Sequence, residues 1–202
     1  MINFILKSFS FVFHPLMMPV MALVFYFAKS PRFVPEPVMK AKLFSITILT
    51  IILPILLYIL LKTMRRVTSF ELDTPRERLV PLLLSCLICT LIIYRVLPAN
   101  EILELYYFFL GTLFSSIACF FLALFNVKAS IHMMGSSGFF MFAVAISIHY
   151  KINIVGTLAI MSFIVGAIAT SRLHLKAHTG TELTIGFFIG VIPQLIFLNY
   201  WL

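Results

Sequence analysis

Residues 171–182, SRLHLKAHTGTE, gather an arginine, two histidines, a lysine and a glutamate between two apolar runs. Arg172 can offer a planar fork to two oxygens of an anion, and Ser171 a hydroxyl or a backbone donor. His178 follows six positions after Arg172. With a helix starting near His178, Glu182 falls one turn later on the same face. A carboxylate there accepts the Nδ1 proton, fixes the tautomer and leaves Nε2 free to attack. An anion clamp beside an oriented imidazole suits phosphoryl transfer, which needs its charge neutralised and its nucleophile in line with the leaving group.

Two other polar stretches can complete such a site. Residues 128–133, KASIHM, offer Lys128, Ser130 and His132. His132 is the second histidine, able to protonate a leaving oxygen and then activate water. Residues 62–78, KTMRRVTSFELDTPRER, offer Arg76 and Arg78 as further anion ligands. Cations and amides supply the charge stabilisation here, so neither a metal nor another cofactor is called for.

The elements that must position these residues are membrane helices. The chain has 202 residues, of which 62% are hydrophobic and 11% charged, with a mean hydropathy of +1.11. Such a composition excludes an ordinary soluble core. Seven apolar segments lie at about 8–28, 43–61, 79–94, 105–127, 134–149, 152–170 and 183–202, each close to the roughly 20 residues a crossing needs. Lipid offers their backbones no partners, so the segments must be helices. The expectation is an all-α, polytopic bundle of six to seven spans, forming one domain over residues 1–202. The third and fifth segments are short enough to suggest re-entrant pieces. The N-terminal run, broken by His14, Pro15 and Pro19, reads as a retained first span. Alternation of the spans puts the three polar stretches on one side of the membrane.

Order and spacing then suggest a family. SRLHLKAHTGTE matches S-R-x5-H-x3-D with Glu182 in place of the aspartate, and Ser130-Ile131-His132 keeps the serine and histidine of P-S-G-H. TPRERLVP resembles a divergent K-x6-R-P, with Arg78 as its arginine and Glu71 where lysine belongs. Over about residues 62–190 the chain resembles the type 2 phosphatidic acid phosphatase superfamily. The resemblance implies a lipid phosphate or diphosphate substrate and a phosphohistidine on His178. His132 would be the second histidine, Glu182 the orienter, and Arg172, Ser171, Ser130, Arg78, Arg76 and Lys128 the phosphate ligands. Lys128 stands in for the missing lysine.

Other readings use the same chain differently. Taken singly, Arg172 and Lys176 are interfacial anchors and His178/Glu182 a structural pair. GSSG at 135–138 resembles the nucleophile motif of rhomboid intramembrane proteases, with Ser137 as nucleophile. A non-catalytic lipid-binding or transport protein is a third reading. A magnesium-dependent prenyl or CDP-alcohol transferase is excluded by the single aspartate, Asp73. Cys86 and Cys89 form a C-x-x-C inside an apolar run and read as packing residues. His174, four residues before His178, has too few acids nearby for a metal site. His14 and His149 fall outside the motifs and are given no chemistry, and Glu101 and Glu104 read as solvated loop residues.

The net charge of +8 comes from cations in short loops, where they orient helices and meet lipid headgroups, so the partners are membrane lipids and not nucleic acid. The cations on the site side outnumber those on the other. Setting aside Arg76, Arg78, Lys128, Arg172 and Lys176 as phosphate ligands reverses the balance. That reversal and the family resemblance together give the expectation of a site on the extracytoplasmic side, in a bacterial inner membrane.

Overall fold

The computed structural model describes residues 2–65 and 74–202, and those residues form an all-α bundle. Among them, seven helices are long and apolar enough to cross a bilayer. The protein is an integral membrane protein.

The first span, Ser8–Lys29, is broken into α1 (Ile2–Val12) and α2 (Met18–Lys29). Pro15 causes the break, because it has no N–H and forces the preceding residue out of helical geometry. His14 is accordingly extended, at φ −66° and ψ 144°, and its Nδ1 accepts the Leu16 N–H at 3.3 Å to start a short 3-10 turn over Pro15–Met17. The second span joins α3 (Glu36–Thr47) to α4 (Leu53–Thr63) through a π turn over Ile48–Ile52. Pro54 sits just past that turn and cannot donate to the carbonyl four residues back, and the wider turn absorbs the mismatch.

The third span opens with a 3-10 turn over Arg76–Arg78, continues as α5 (Leu79–Leu91) and ends in a π turn over Ile92–Val96. Then come α6 (Leu103–Leu124), α7 (Ile131–His149), α8 (Val155–His174) and α9 (Gly180–Leu198). The third and fifth spans have 21 and 19 residues and are long and apolar enough to cross, so their length gives no ground for the expected re-entrant pieces. The fifth gains its length because Ser130 caps it, accepting the Met133 N–H, and Gly135, Ser136 and Ser137 then continue as helix.

Helix α7 is the centre of the bundle, with 56% of its span buried against at most 39% for any other. It lies directly on α9, where Gly186 and Gly190 form a small-residue stripe. A Cβ on Gly186 would overlap the Ser130 carbonyl, and one on Gly190 would overlap Ser137 Oγ and the Met134 carbonyl. That contact brings the N-termini of two helices side by side, and Ser130 N donates to Glu182 O at 3.0 Å across it.

The opposite end is pinned by Glu104, which is only 4% exposed and not solvated as the loop reading expects. Its carboxylate accepts from Tyr26 Oη at 3.1 Å and from Tyr150 Oη, and lies 3.6 Å from Arg32 and 3.7 Å from His149. Those partners come from the ends of separate spans, which the linear sequence cannot align.

Candidate functional site

The turn between α8 and α9 is built by capping at both ends. Helix α8 closes with Lys176 in the left-handed region, at φ 53°, and Ala177 N returns to Arg172 O at 3.1 Å. Helix α9 opens with a capping box. Thr179 Oγ1 accepts the Glu182 N–H, and Glu182 Oε2 accepts the Thr179 N–H, both at 3.3 Å. The same Glu182 Oε2 lies 2.7 Å from His178 Nδ1. One carboxylate thus starts the helix and orients the ring.

His178 is 7% exposed. Burial, together with the nearby charges of Arg78, Lys128 and Arg172, pushes its pKa down to about 4, against the opposing bond to Glu182. The ring is therefore neutral at physiological pH, with its Nδ1 proton on Glu182 and Nε2 carrying a lone pair.

The cations converge on this ring from three stretches of chain. Arg78, buried at the start of the third span, donates from Nη1 to Ala129 O at 2.7 Å. Lys128 Nζ donates to Ala177 O at 3.0 Å, beside His178. Arg172 is 3% exposed, on the last turn of α8. Arg78, His132, Arg172 and His178 all line one cavity of about 880 Å³. Away from them the cavity is walled largely by apolar side chains, among them Ile55, Leu82, Ile88 and Phe139.

The remaining expected residues take other positions. Ser130 is fully buried as the cap of α7, and Ser171 gives its proton to Leu6 O at 2.8 Å and accepts from Ser10 Oγ at 2.7 Å. Ser171 therefore docks α8 on the first span. Arg76 is exposed and stands outside the cavity lining. Glu71, the residue at the expected lysine position, lies outside the described residues, as do Arg66 and Asp73.

The rhomboid-like serine has no catalytic setting. Ser137 is fully buried in the α7–α9 contact and donates to Phe187 O at 2.9 Å and Met134 O at 3.3 Å. Cys86, Cys89 and Cys119 are free thiols. Among the described residues, no group of three or more His, Cys, Asp or Glu side chains could hold a metal ion.

The structure adds a contributor that sequence reasoning passed over. His14, on the first span, lines the same cavity, and its ring meets that of His132 edge-on with centroids 5.2 Å apart. Ser10 lines the cavity too. The available signal was the His14-Pro15 break in an apolar span, a place where helix carbonyls lose their internal partners. No protein-family model, no curated protein and no solved structure matches the chain.

Proposed function

We propose that the protein is a lipid phosphatase that works through a phosphohistidine on His178 and needs no metal. One observation carries this reading. Arg78, His132, Arg172 and His178 meet at one end of a cavity whose remaining wall is mostly apolar. The polar end suits a phosphate, which two guanidinium groups can clamp through its equatorial oxygens. The apolar end suits a hydrocarbon chain. Cys89 also lines the cavity and follows Arg78 by eleven residues on the third span, or about 16 Å at the helical rise. That reach is close to one leaflet, about 15 Å of hydrocarbon.

In the proposed reaction, His178 Nε2 attacks phosphorus and the bond to the leaving oxygen breaks, its electron pair staying on that oxygen. His132, which takes up a proton once the phosphate dianion is bound beside it, passes that proton to the oxygen and the lipid alcohol departs. Water then attacks the phosphohistidine, His132 takes a proton from it, and inorganic phosphate leaves with His178 restored. Arg78 and Arg172 hold the phosphoryl charge throughout, Lys128 adds positive charge from outside the cavity lining, and the N-termini of α7 and α9 add their dipoles.

The order and spacing of the three polar stretches support kinship with the type 2 phosphatidic acid phosphatases. The substrate class is a lipid phosphate or diphosphate, such as phosphatidate, phosphatidylglycerophosphate or a polyprenyl diphosphate. A bacterial inner membrane with the site on its extracytoplasmic side completes the reading. Phosphate release by the purified protein from these three lipids, with and without EDTA, tests it. Release that survives EDTA supports the reading, and no release from any of them contradicts it.

A further inference from the structure

The first span enters the site at the residue that interrupts it. Pro15 ends α1, and the chain turns at His14 with the side chain on the cavity side of the break. The Leu16 N–H occupies His14 Nδ1, so the neutral ring carries its proton on Nε2.

The His14 and His132 rings meet edge-on with centroids 5.2 Å apart, and both line the cavity that Arg172 and His178 share. On the phosphatase reading His14 therefore stands beside the residue that protonates the leaving oxygen.

We propose that His14 is a catalytic residue of this site, donating its Nε2–H to the oxygen through which the lipid leaves phosphorus. The inference rests on the phosphatase reading above. His132 transfers its proton to that oxygen as the phosphorus–oxygen bond breaks. His14 transfers none: its N–H holds the developing negative charge while the bond breaks, as a fixed donor does in an oxyanion site.

Two substitutions separate this role from capping. His14→Asn keeps a cap acceptor for the Leu16 N–H and removes the ring N–H, whereas His14→Gln places an amide N–H near the Nε2 position and gives up the cap. Wild type and both variants are compared, as purified full-length protein, on an alkyl monoester (phosphatidate or phosphatidylglycerophosphate) and on p-nitrophenyl phosphate. The aryl oxygen leaves readily and needs little help. We expect His14→Asn to lower kcat on the alkyl ester about 100-fold and on the aryl ester less than about tenfold, with His14→Gln recovering part of the loss.

Equal losses on the two esters, or wild-type rates for His14→Asn, would overturn the proposal while leaving the phosphatase reading intact. Hydrolysis of diphosphates alone would also overturn it, because their leaving group needs no such donor. Release from no substrate by wild type removes both readings together.

Discussion

Glu182 Oε2 stands 2.7 Å from His178 Nδ1 and 3.3 Å from the Thr179 amide, so one oxygen both orients the imidazole and caps α9. Glu182→Gln keeps a side-chain oxygen for the amide but loses the charge that stabilises a phosphorylated or protonated ring. We expect the melting temperature to hold within a few degrees and kcat to fall by about 100-fold or more. Glu182→Ala should lose activity and also about 1 kcal/mol of stability through the cap. Turnover and thermal melts of the purified variants check both, and an unchanged rate in Glu182→Gln would make the residue structural only.

The His178 ring sits among three cations, and its titration should report them. Its pKa in the folded protein is about 4, below the roughly 6.5 of an exposed histidine. The stability linked to this neutral ring is present above about pH 6.5 and is lost as the pH falls through about 4, because the unfolded chain takes up the proton first. Lys128→Met should raise the pKa, since it removes a nearby positive charge, and should also slow turnover. Lys62→Met should do neither, since Lys62 is exposed on α4 outside the cavity. A ¹⁵N-histidine NMR titration with the signal assigned through His178→Ala reads the shift directly, and equal small effects on turnover would leave Lys128 a helix anchor.

The buried Ser137 should be dispensable for chemistry. Ser137→Ala removes the side-chain donor to the Phe187 carbonyl and should cost about 1 kcal/mol of stability with turnover retained. Gly190→Ala, by contrast, forces a methyl group onto Ser137 Oγ and the Met134 carbonyl and should cost about 1–3 kcal/mol. Thermal melts and phosphate release together decide. Loss of all activity in Ser137→Ala, with His178→Ala still active, would revive the protease reading.

The helical class and the spans were legible because lipid leaves the backbone few options and twenty apolar residues are hard to hide. The contact between His178 and Glu182 was legible because the two lie one helical turn apart, where spacing is geometry. Ser171 looked like a phosphate ligand, but its proton goes to Leu6 O, a tertiary contact no local spacing encodes. Arg76 and Arg78 were both expected as anion ligands, and the 3-10 turn that carries them buries Arg78 and leaves Arg76 exposed. The place of His14 beside His132 and the burial of Glu104 were hidden for the same reason. Each depends on which spans lie side by side, and that arrangement follows from packing such as the α7–α9 glycine stripe.

Membrane orientation is testable at the same turn. A single cysteine at the exposed Thr181 spares the Thr179 cap, in a background lacking Cys86, Cys89 and Cys119. A membrane-impermeant thiol reagent should label it on intact cells. Labelling only after the cells are opened would put the site in the cytoplasm.

The central claim is that His178 carries the phosphoryl group. Acid-labile, base-stable phosphoprotein trapped by rapid quench from a ³²P-labelled lipid phosphate, and mapped by mass spectrometry, tests it most directly. The account predicts one phosphohistidine at residue 178, forming and decaying at rates consistent with kcat and absent from His178→Ala. Turnover that persists in His178→Ala, or a phosphoryl group found on another residue, would contradict it.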